Sequence, residues 1–277
     1  MGIRTDIAAE SVSQLEKFPP EGIAVAKHFL SKSTLTMVEI TSPEGAEAAG
    51  KPQGVYVTLE GKPFWQDAGD CREEIAATAA GLQELLPKEG LILTVGLGNR
   101  EITPDALGPC TADRILATRH LQKALNQETG LTGLRETAVL TPNVMGKTGI
   151  EAAELVQSVV SRFRPAAVIA VDALAAGEIA HLGTTVQLCN TGIEPGSGVL
   201  NRRQALNRET LGVPVLAMGI PTVVDLESVS AGSGSSMMIT PREIDLLIER
   251  GARFLSLCLN CALQPSLSLD EIMLLQS

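Results

Sequence analysis

Apolar runs of strand length recur along this chain, and segments of helical periodicity stand before or after them. LILTVGLG (91–98), AAVIAVDAL (166–174), TTVQLC (184–189) and VPVLAMGIPTVV (213–224) carry almost no polar alternation. That is the pattern of strands covered on both faces. Residues 72–86 (REEIAATAAGLQELL) and 150–163 (IEAAELVQSVVSRF) have helical spacing, and the acidic first turn of the former suits the helix dipole. Such alternation predicts an α/β fold of βαβ units with right-handed crossovers and a mostly parallel central sheet. Hydrophobic residues make up 44% of the chain and aromatics only 3%, so the core must be built from Val, Ile, Leu and Ala.

Two earlier segments, MVEIT (37–41) and GVYVTLEG (54–61), alternate like half-buried strands and predict an antiparallel edge or a small N-terminal β subdomain. Further elements are predicted as a helix around Gly22–Ser31, a helix over Asp113–Leu125, a short strand at TAVLT (137–141) and a C-terminal helix from Pro241 to about Leu263. The run VPVLAMGIPTVV is interrupted by Gly219 and Pro221, and SVSAGSGSS (228–236) reads as a flexible loop. The 277 residues contain no internal repeat and no clean linker, so the chain is read as a single domain, 1–277.

A net charge of −10 argues against gripping nucleic acid through its phosphates and leaves room for a basic or neutral polypeptide. The five cysteines show no framework spacing. Cys258 and Cys261 form a CxxC inside the apolar run FLSLCLNCAL, where buried core thiols are favoured over a redox or zinc site. His28, His120 and His181 are scattered outside any metal spacing. No signal peptide opens the sequence and no apolar stretch reaches transmembrane length, which predicts a soluble, intracellular protein with no membrane partner.

Chemistry is sought at two aspartates, Asp105 and Asp172, each read as lying beyond an apolar strand and beside a small glycine-flanked loop. Ligands of open α/β sheets bind at such strand ends, and paired carboxylates can share a proton, activate water or hold a metal. Asp105, in Thr103-Pro104-Asp105, could equally cap the next helix. Asp172 follows VIAV directly, where an uncompensated carboxylate would be costly. GLGN (96–99), with Asn99, matches only part of a dinucleotide fingerprint, because Glu101 breaks GxGxxG. The loop NTGIEPGSGVLNRR (190–203) offers Thr191, Gly196 and Ser197 to a peptide groove and Arg202 or Arg203 to acidic side chains.

Taken in order, the segments IRTDIAAE (3–10), EGAEAAGK (44–51), GVYVTLE (54–60), VGLGNREITPDALGP (95–109), NVMGKTGIE (143–151), VIAVDALAA (168–176), TGIEPGSGV (191–199) and LGVPVLAMGIPTVVD (211–225) resemble the germination proteases of spore-forming bacteria. The resemblance covers nearly the whole chain. It implies an endopeptidase that degrades small acid-soluble spore proteins, with Asp105 and Asp172 as the catalytic pair and Asn99, Thr191, Gly196, Ser197 and Arg202 on the substrate side. It also implies a three-layer fold similar to that of hydrogenase maturation endopeptidases, a homo-oligomer (dimer or tetramer), and a place in the forespore or spore core. The family trims its own N-terminus. Thr5-Asp6-Ile7-Ala8 resembles the cleaved substrate sequence, which points to Asp6–Ile7 as the self-cleavage bond and to 1–6 as a short propeptide. No cofactor is expected; a divalent metal at Asp105 and Asp172 stays open, and with it a metal-dependent maturation endopeptidase. Gly177 and Asn190, which stand where family members usually have Arg and Asp, and the short SVSAGSGSS segment leave a further alternative, an inactive spore-protein-binding homologue.

Overall fold

The computed structural model describes residues 5–12, 20–64, 66, 70–121, 133–196, 204–225 and 238–276. One mixed sheet runs through it. Its strands are β1 (Ile23–Phe29), β2 (Thr34–Ile40), β3 (Gly54–Glu60), β4 (Ile92–Gly96), β5 (Thr137–Leu140), β6 (Ala167–Ala176), β7 (Thr185–Cys189), β8 (Val215–Asp225) and β9 (Met238–Ile239). They lie in the order β1-β2-β3-β7-β8-β6-β4-β5, with β9 added to β8.

The parallel arrangement holds for one half of the sheet, where β8, β6, β4 and β5 pair in parallel. The other half, from β1 through β7 to β8, is antiparallel. The strands at 34–40 and 54–60 are thus the antiparallel edge that their alternation allowed, joined to the main sheet rather than separate from it. The antiparallel β1 and β2 are joined by a short turn, whereas the parallel pair β4 and β5 is joined by a long crossover.

Helices cover both faces. On one side α3 (Arg72–Leu85), α4 (Leu107–Ala112), α8 (Ile244–Leu263) and α9 (Leu269–Leu275) pack in a core with Ile92, Ile169, Val171, Leu188 and Met218. On the other, α6 (Ala152–Phe163) packs on Leu93, Val95, Val168 and Ala170. Beside α6 on that face, α1 (Ala8–Val12) and α2 (Pro43–Ala49) cover Val38, Ile40, Tyr56 and Ala217. Short helices α5 (Met145–Thr148) and α7 (Arg208–Leu211) complete the set. Alternate residues of the apolar first half of β6, Ala167–Val171, therefore enter opposite layers, as a strand covered on both faces requires.

Several sequence expectations are corrected. Gly22–Ser31 is not a helix: Ile23–Phe29 pairs along its whole length with β2, and this outer strand buries only Ile23. The helix expected over Asp113–Leu125 is displaced; α4 starts at Leu107 and stops at Ala112, followed by turns to Leu121. There Asn260 Oδ1 takes the Leu116 amide at 3.0 Å, and the Thr118 amide bonds the Thr137 carbonyl at 3.0 Å. These tertiary bonds replace helical ones. Residues 122–132 lie outside the described residues, as do 226–237, which include the SVSAGSGSS segment.

Strand β8 passes through both Gly219 and Pro221 without a break. The Pro221 carbonyl points to the β7 side, where it takes the Gly183 amide, and β7 pairing has ended at Gly219. A missing N–H on that side removes no ladder bond. The C-terminal helix begins at Ile244, three residues after Pro241, and α9 follows it on a Ser268–Glu271 capping box. Cys258 is buried and Cys261 packs partly buried against the core.

Tyr56 links the antiparallel half to pH. It is 3% exposed, its hydroxyl donates to the Pro52 carbonyl at 2.7 Å, and burial pushes its pKa up to about 12. A folded-state value above the unfolded value of about 10 means that this contribution is complete below pH 10 and is lost as pH rises toward 12. The urea midpoint should fall across that window in the wild-type chain. In Tyr56→Phe this component of the slope should vanish; an unchanged slope would refute the assignment.

Candidate active site

Strand β6 carries the site because it is longer than its neighbour. Pairing with β4 ends at Gly96 and Val171, closed by the Leu97 amide on the Val171 carbonyl at 2.8 Å. Pairing with β8 continues to Ala176. Asp172 is therefore inside a strand, not beyond its end as the sequence suggested. It is the first residue past the reach of β4. By strand alternation it shares a face with Val168, Ala170 and Leu174, between the α6 core and the small cluster of Leu174 with Ile7 and Ala9. It is 5% exposed, and its Oδ1 accepts the Ala173 amide at 2.9 Å.

Asp105 arrives from the other side of the gap. Gly98, at φ +109°, turns the chain away from the sheet, and a single 3₁₀ turn, Thr103–Asp105, brings it back. The Asn99 amide donates to Asp105 Oδ2 at 2.7 Å. The Thr222 hydroxyl of β8 holds the Pro104 carbonyl at 2.8 Å. Capping is not the role of Asp105: α4 is preceded by Ala106 and has no side-chain cap. Gly98 is required here, since a Cβ would lie 2.1 Å from the Asp105 carbonyl oxygen.

Asp105 and Asp172 line one cavity of about 290 Å³, together with Asp6, Asn143, Gly196 and Thr222. Two carboxylates 67 positions apart in the sequence are thus brought to one space. Gly219 makes the close approach of β8 possible, since a Cβ there would meet the Asp172 carbonyl oxygen at 2.2 Å. Asn143 sits at the rim in the left-handed region, φ 64°, with its Oδ1 on the Val144 amide. Asn tolerates that conformation better than most residues.

The remaining predicted residues divide. Gly196 lines the cavity. Asn99 is buried and does not line it; its Oδ1 takes the Glu101 amide and its own amide positions Asp105. Thr191 is placed away from the cavity, its hydroxyl bonded to Cys189 Sγ at 3.4 Å. Ser197 and Arg202 lie outside the described residues.

Asp6 and Ile7 are docked against the site. The Asp6 amide donates to the Ala175 carbonyl at 3.0 Å, and Asp6 Oδ2 accepts the Ala175 amide at 2.9 Å. Ile7 is fully buried. Sequence reasoning passed over two residues that hold this segment. Lys51 Nζ donates to the Thr5 carbonyl at 2.7 Å; burial lowers its pKa, opposed by the nearby Asp6, Cys189 and Glu10. Glu10 accepts the Gly177 amide at 2.8 Å and the Glu178 amide at 3.2 Å, with His181 Nε2 3.9 Å away. Both stand at the ends of the quoted segments IRTDIAAE and EGAEAAGK, so the signal was present, but only their docking gives it a meaning.

Among the described residues no three His, Cys, Asp or Glu side chains gather closely enough to hold a metal. Two carboxylates alone fall short of the three protein ligands of a catalytic zinc; of the two other acids lining the cavity, Asp6 and Glu194, Asp6 is turned to Ala175. Also among the described residues, no helix is long and apolar enough to cross a membrane.

Comparison with known proteins shows the family. The germination protease family matches residues 5–235. The germination protease of Caldanaerobacter subterraneus subsp. tengcongensis is 36% identical over 316 positions, covering 98% of this chain and 97% of that protein. The alignment is longer than the 277 residues here, so that relative carries residues this chain lacks. The germination protease of Bacillus subtilis is 40% identical over 241 positions, covering 83% of this chain and 65% of its own length. Among solved structures, a NiFe hydrogenase maturation protease, HycI from Thermococcus kodakarensis, aligns with a TM-score of 0.39 and 18% identity over 65% of this chain and 98% of that one. An α/β sheet with this family match defines a peptidase. The chain belongs to the germination protease family.

Proposed function

We propose that this endopeptidase degrades small acid-soluble spore proteins during germination, using water activated between Asp105 and Asp172. The observation that carries the mechanism is the shared cavity: Asp172 reaches it from within β6 and Asp105 from the 3₁₀ turn that follows β4. One carboxylate, assigned to Asp105, takes a proton from water as the oxygen attacks the peptide carbonyl carbon. The other, Asp172, holds the proton that two neighbouring carboxylates share and delivers it through the carbonyl oxygen to the departing amine. The C–N bond breaks, and the product acid and amine leave the pair ready to share a proton again. Asn99 and Thr222 position Asp105 from behind, while Gly196 and the neighbouring Ser197 and Arg202 belong to the substrate side. The same reading takes the enzyme to act in the forespore and spore core and to assemble as a homo-oligomer, as the resemblance to the family implies.

The test is to incubate the full chain with a small acid-soluble spore protein, with and without a chelator, and to sequence the fragments. Cleavage after an acidic residue that survives exhaustive chelation is expected. Cleavage abolished by chelator and restored by a metal would establish the metal-dependent reading instead, and binding without cleavage would establish an inactive homologue.

The same reading makes the chain a zymogen that cuts its own Asp6–Ile7 bond. Asp6 lines the catalytic cavity, which supports this choice of bond. Because Ile7 is 0% exposed, the bond must leave its seat before water reaches it, so processing should be slow beside substrate cleavage. Mass spectrometry of the active enzyme should find Ile7 as the first residue; an active enzyme intact through Asp6 rules the site out.

A further inference from the structure

The stretch of β6 beyond Val171 has one edge bonded to β8 and one edge that, among the described residues, no strand covers. The Val171 carbonyl points to the β4 side, where it takes the Leu97 amide. Strand alternation then aims the amides of Ala173, Ala175 and Gly177 the same way. Each finds a carboxylate oxygen instead of a strand. Ala173 donates to Asp172 Oδ1 at 2.9 Å, Ala175 to Asp6 Oδ2 at 2.9 Å, and Gly177 to Glu10 Oε2 at 2.8 Å. An edge of unpaired amides and carbonyls is a template for an added strand, and here side chains of the chain's own N-terminus stand in for one. Among the described residues, the Asp6 amide on the Ala175 carbonyl is the single main-chain rung.

This edge starts at the catalytic pair. Ala175 lies three residues from Asp172, about 10 Å along the strand, and the residues from Asp172 to Ala175 form one wall of the cavity. A cavity of about 290 Å³ is at the low end for a ligand pocket, so most of a polypeptide substrate must lie outside it. The edge also favours acids. Its amides already hold the carboxylates of Asp172, Asp6 and Glu10, and the ammonium of Lys51 lies close enough to Asp6 and Glu10 to interact with both.

We propose that the edge of β6 that no described strand covers, Ala173–Ala176 with the Gly177 amide just past its end, is where an extended polypeptide substrate adds as a strand, an acidic side chain taking the place that Asp6 occupies at Ala175. In the chain as it stands, Asp6 and Glu10 fill that edge and must yield it. The proposal rests on the reading of Asp105 and Asp172 as the cleaving pair and assigns the substrate's track to them.

The experiment uses the full chain with Asp105→Asn, so that a capped ten-residue peptide carrying Thr-Glu-Ile-Ala is bound but not cut. Amide hydrogen exchange is followed at Ala175 and Gly177, and peptide affinity is measured by fluorescence anisotropy. Adding Asp6→Ala and Glu10→Ala, which leave no side-chain oxygen for the Ala175 and Gly177 amides, should speed exchange at both amides and tighten the peptide at least tenfold; the peptide should then slow those amides again. Equal affinity in the two proteins, or peptide binding that leaves Ala175 and Gly177 unprotected, overturns the proposal. A second measurement needs no N-terminal change: methylating alternate backbone amides of the peptide should weaken its binding to the Asp105→Asn chain about tenfold, the scale of a lost hydrogen bond; an unchanged affinity also overturns it. The two readings fail differently. Protection at these amides with no cleavage by the wild-type chain upholds the edge and sinks the catalytic pair. Cleavage at full rate with no protection does the reverse.

Discussion

Asp172→Asn should lower kcat for peptide hydrolysis by roughly a thousandfold, within the range that general acid–base groups contribute, and leave the fold intact. The reason lies in what the substitution keeps. Asn is isosteric, and its Oδ1 can still accept the Ala173 amide that Asp172 holds at 2.9 Å. Asp172 is 5% exposed and carries the shared proton in this mechanism, so a neutral isostere should change stability by only about 1 kcal/mol. Only the ability to hold and release a proton is lost. Asp105→Asn should behave alike, because an amide oxygen can still take the Asn99 N–H. The double variant should be little worse than either single one, since the two act as a unit. Single-turnover kinetics with urea unfolding of the same samples separates the two effects. Full activity in both single variants would end the two-carboxylate mechanism.

The second large effect is expected where no charge is touched. Gly98→Ala should cost at least about a hundredfold in activity, the penalty associated with displacing a catalytic group by about 1 Å. A Cβ at Gly98 would lie 2.1 Å from the Asp105 carbonyl oxygen and 3.0 Å from its Oδ1, on a backbone at φ +109°. Relief requires Asp105 to move, and with it the carboxylate. Gly149→Ala is the matched control. It also has positive φ, +72°, but open space around it, so it should cost only the backbone strain of about 1–2 kcal/mol and leave kcat unchanged. Equal losses of activity in the two variants would show that strain alone, not the displacement of Asp105, is responsible.

The buried strands were legible because a strand apolar on both faces needs no knowledge of its neighbours: LILTV, AVIAV and VLAMG announce themselves. The edge strand IAVAKHF was not, because it buries only Ile23 and its composition fits a helix equally well. What makes it a strand is the ladder to β2, a long-range fact. The helix misplaced at Asp113–Leu125 failed for a related reason, since Asn260 and Thr137, far along the chain, bond the backbone there. By contrast α9 could have been found, as Ser268 and Glu271 spell a capping box. For the site, the candidate aspartates and the glycine loops were readable as local signals. The tie of Asn99 to Asp105 and the burial of Lys51 were not, because each depends on a partner several residues or a whole strand away.

By itself the sequence determined the layered α/β class and the family and named the two candidate carboxylates, since apolar periodicity and ordered motifs are properties of the chain alone. Only the tertiary structure decided that β6 outruns β4. That difference in length places Asp172 at the first uncovered rung, lets Asp105 fold back over it, and leaves an edge of amides that Asp6 and Glu10 fill. A strand's own residues do not encode where its neighbour stops; that is set by where the paired chain turns away, here at Gly98.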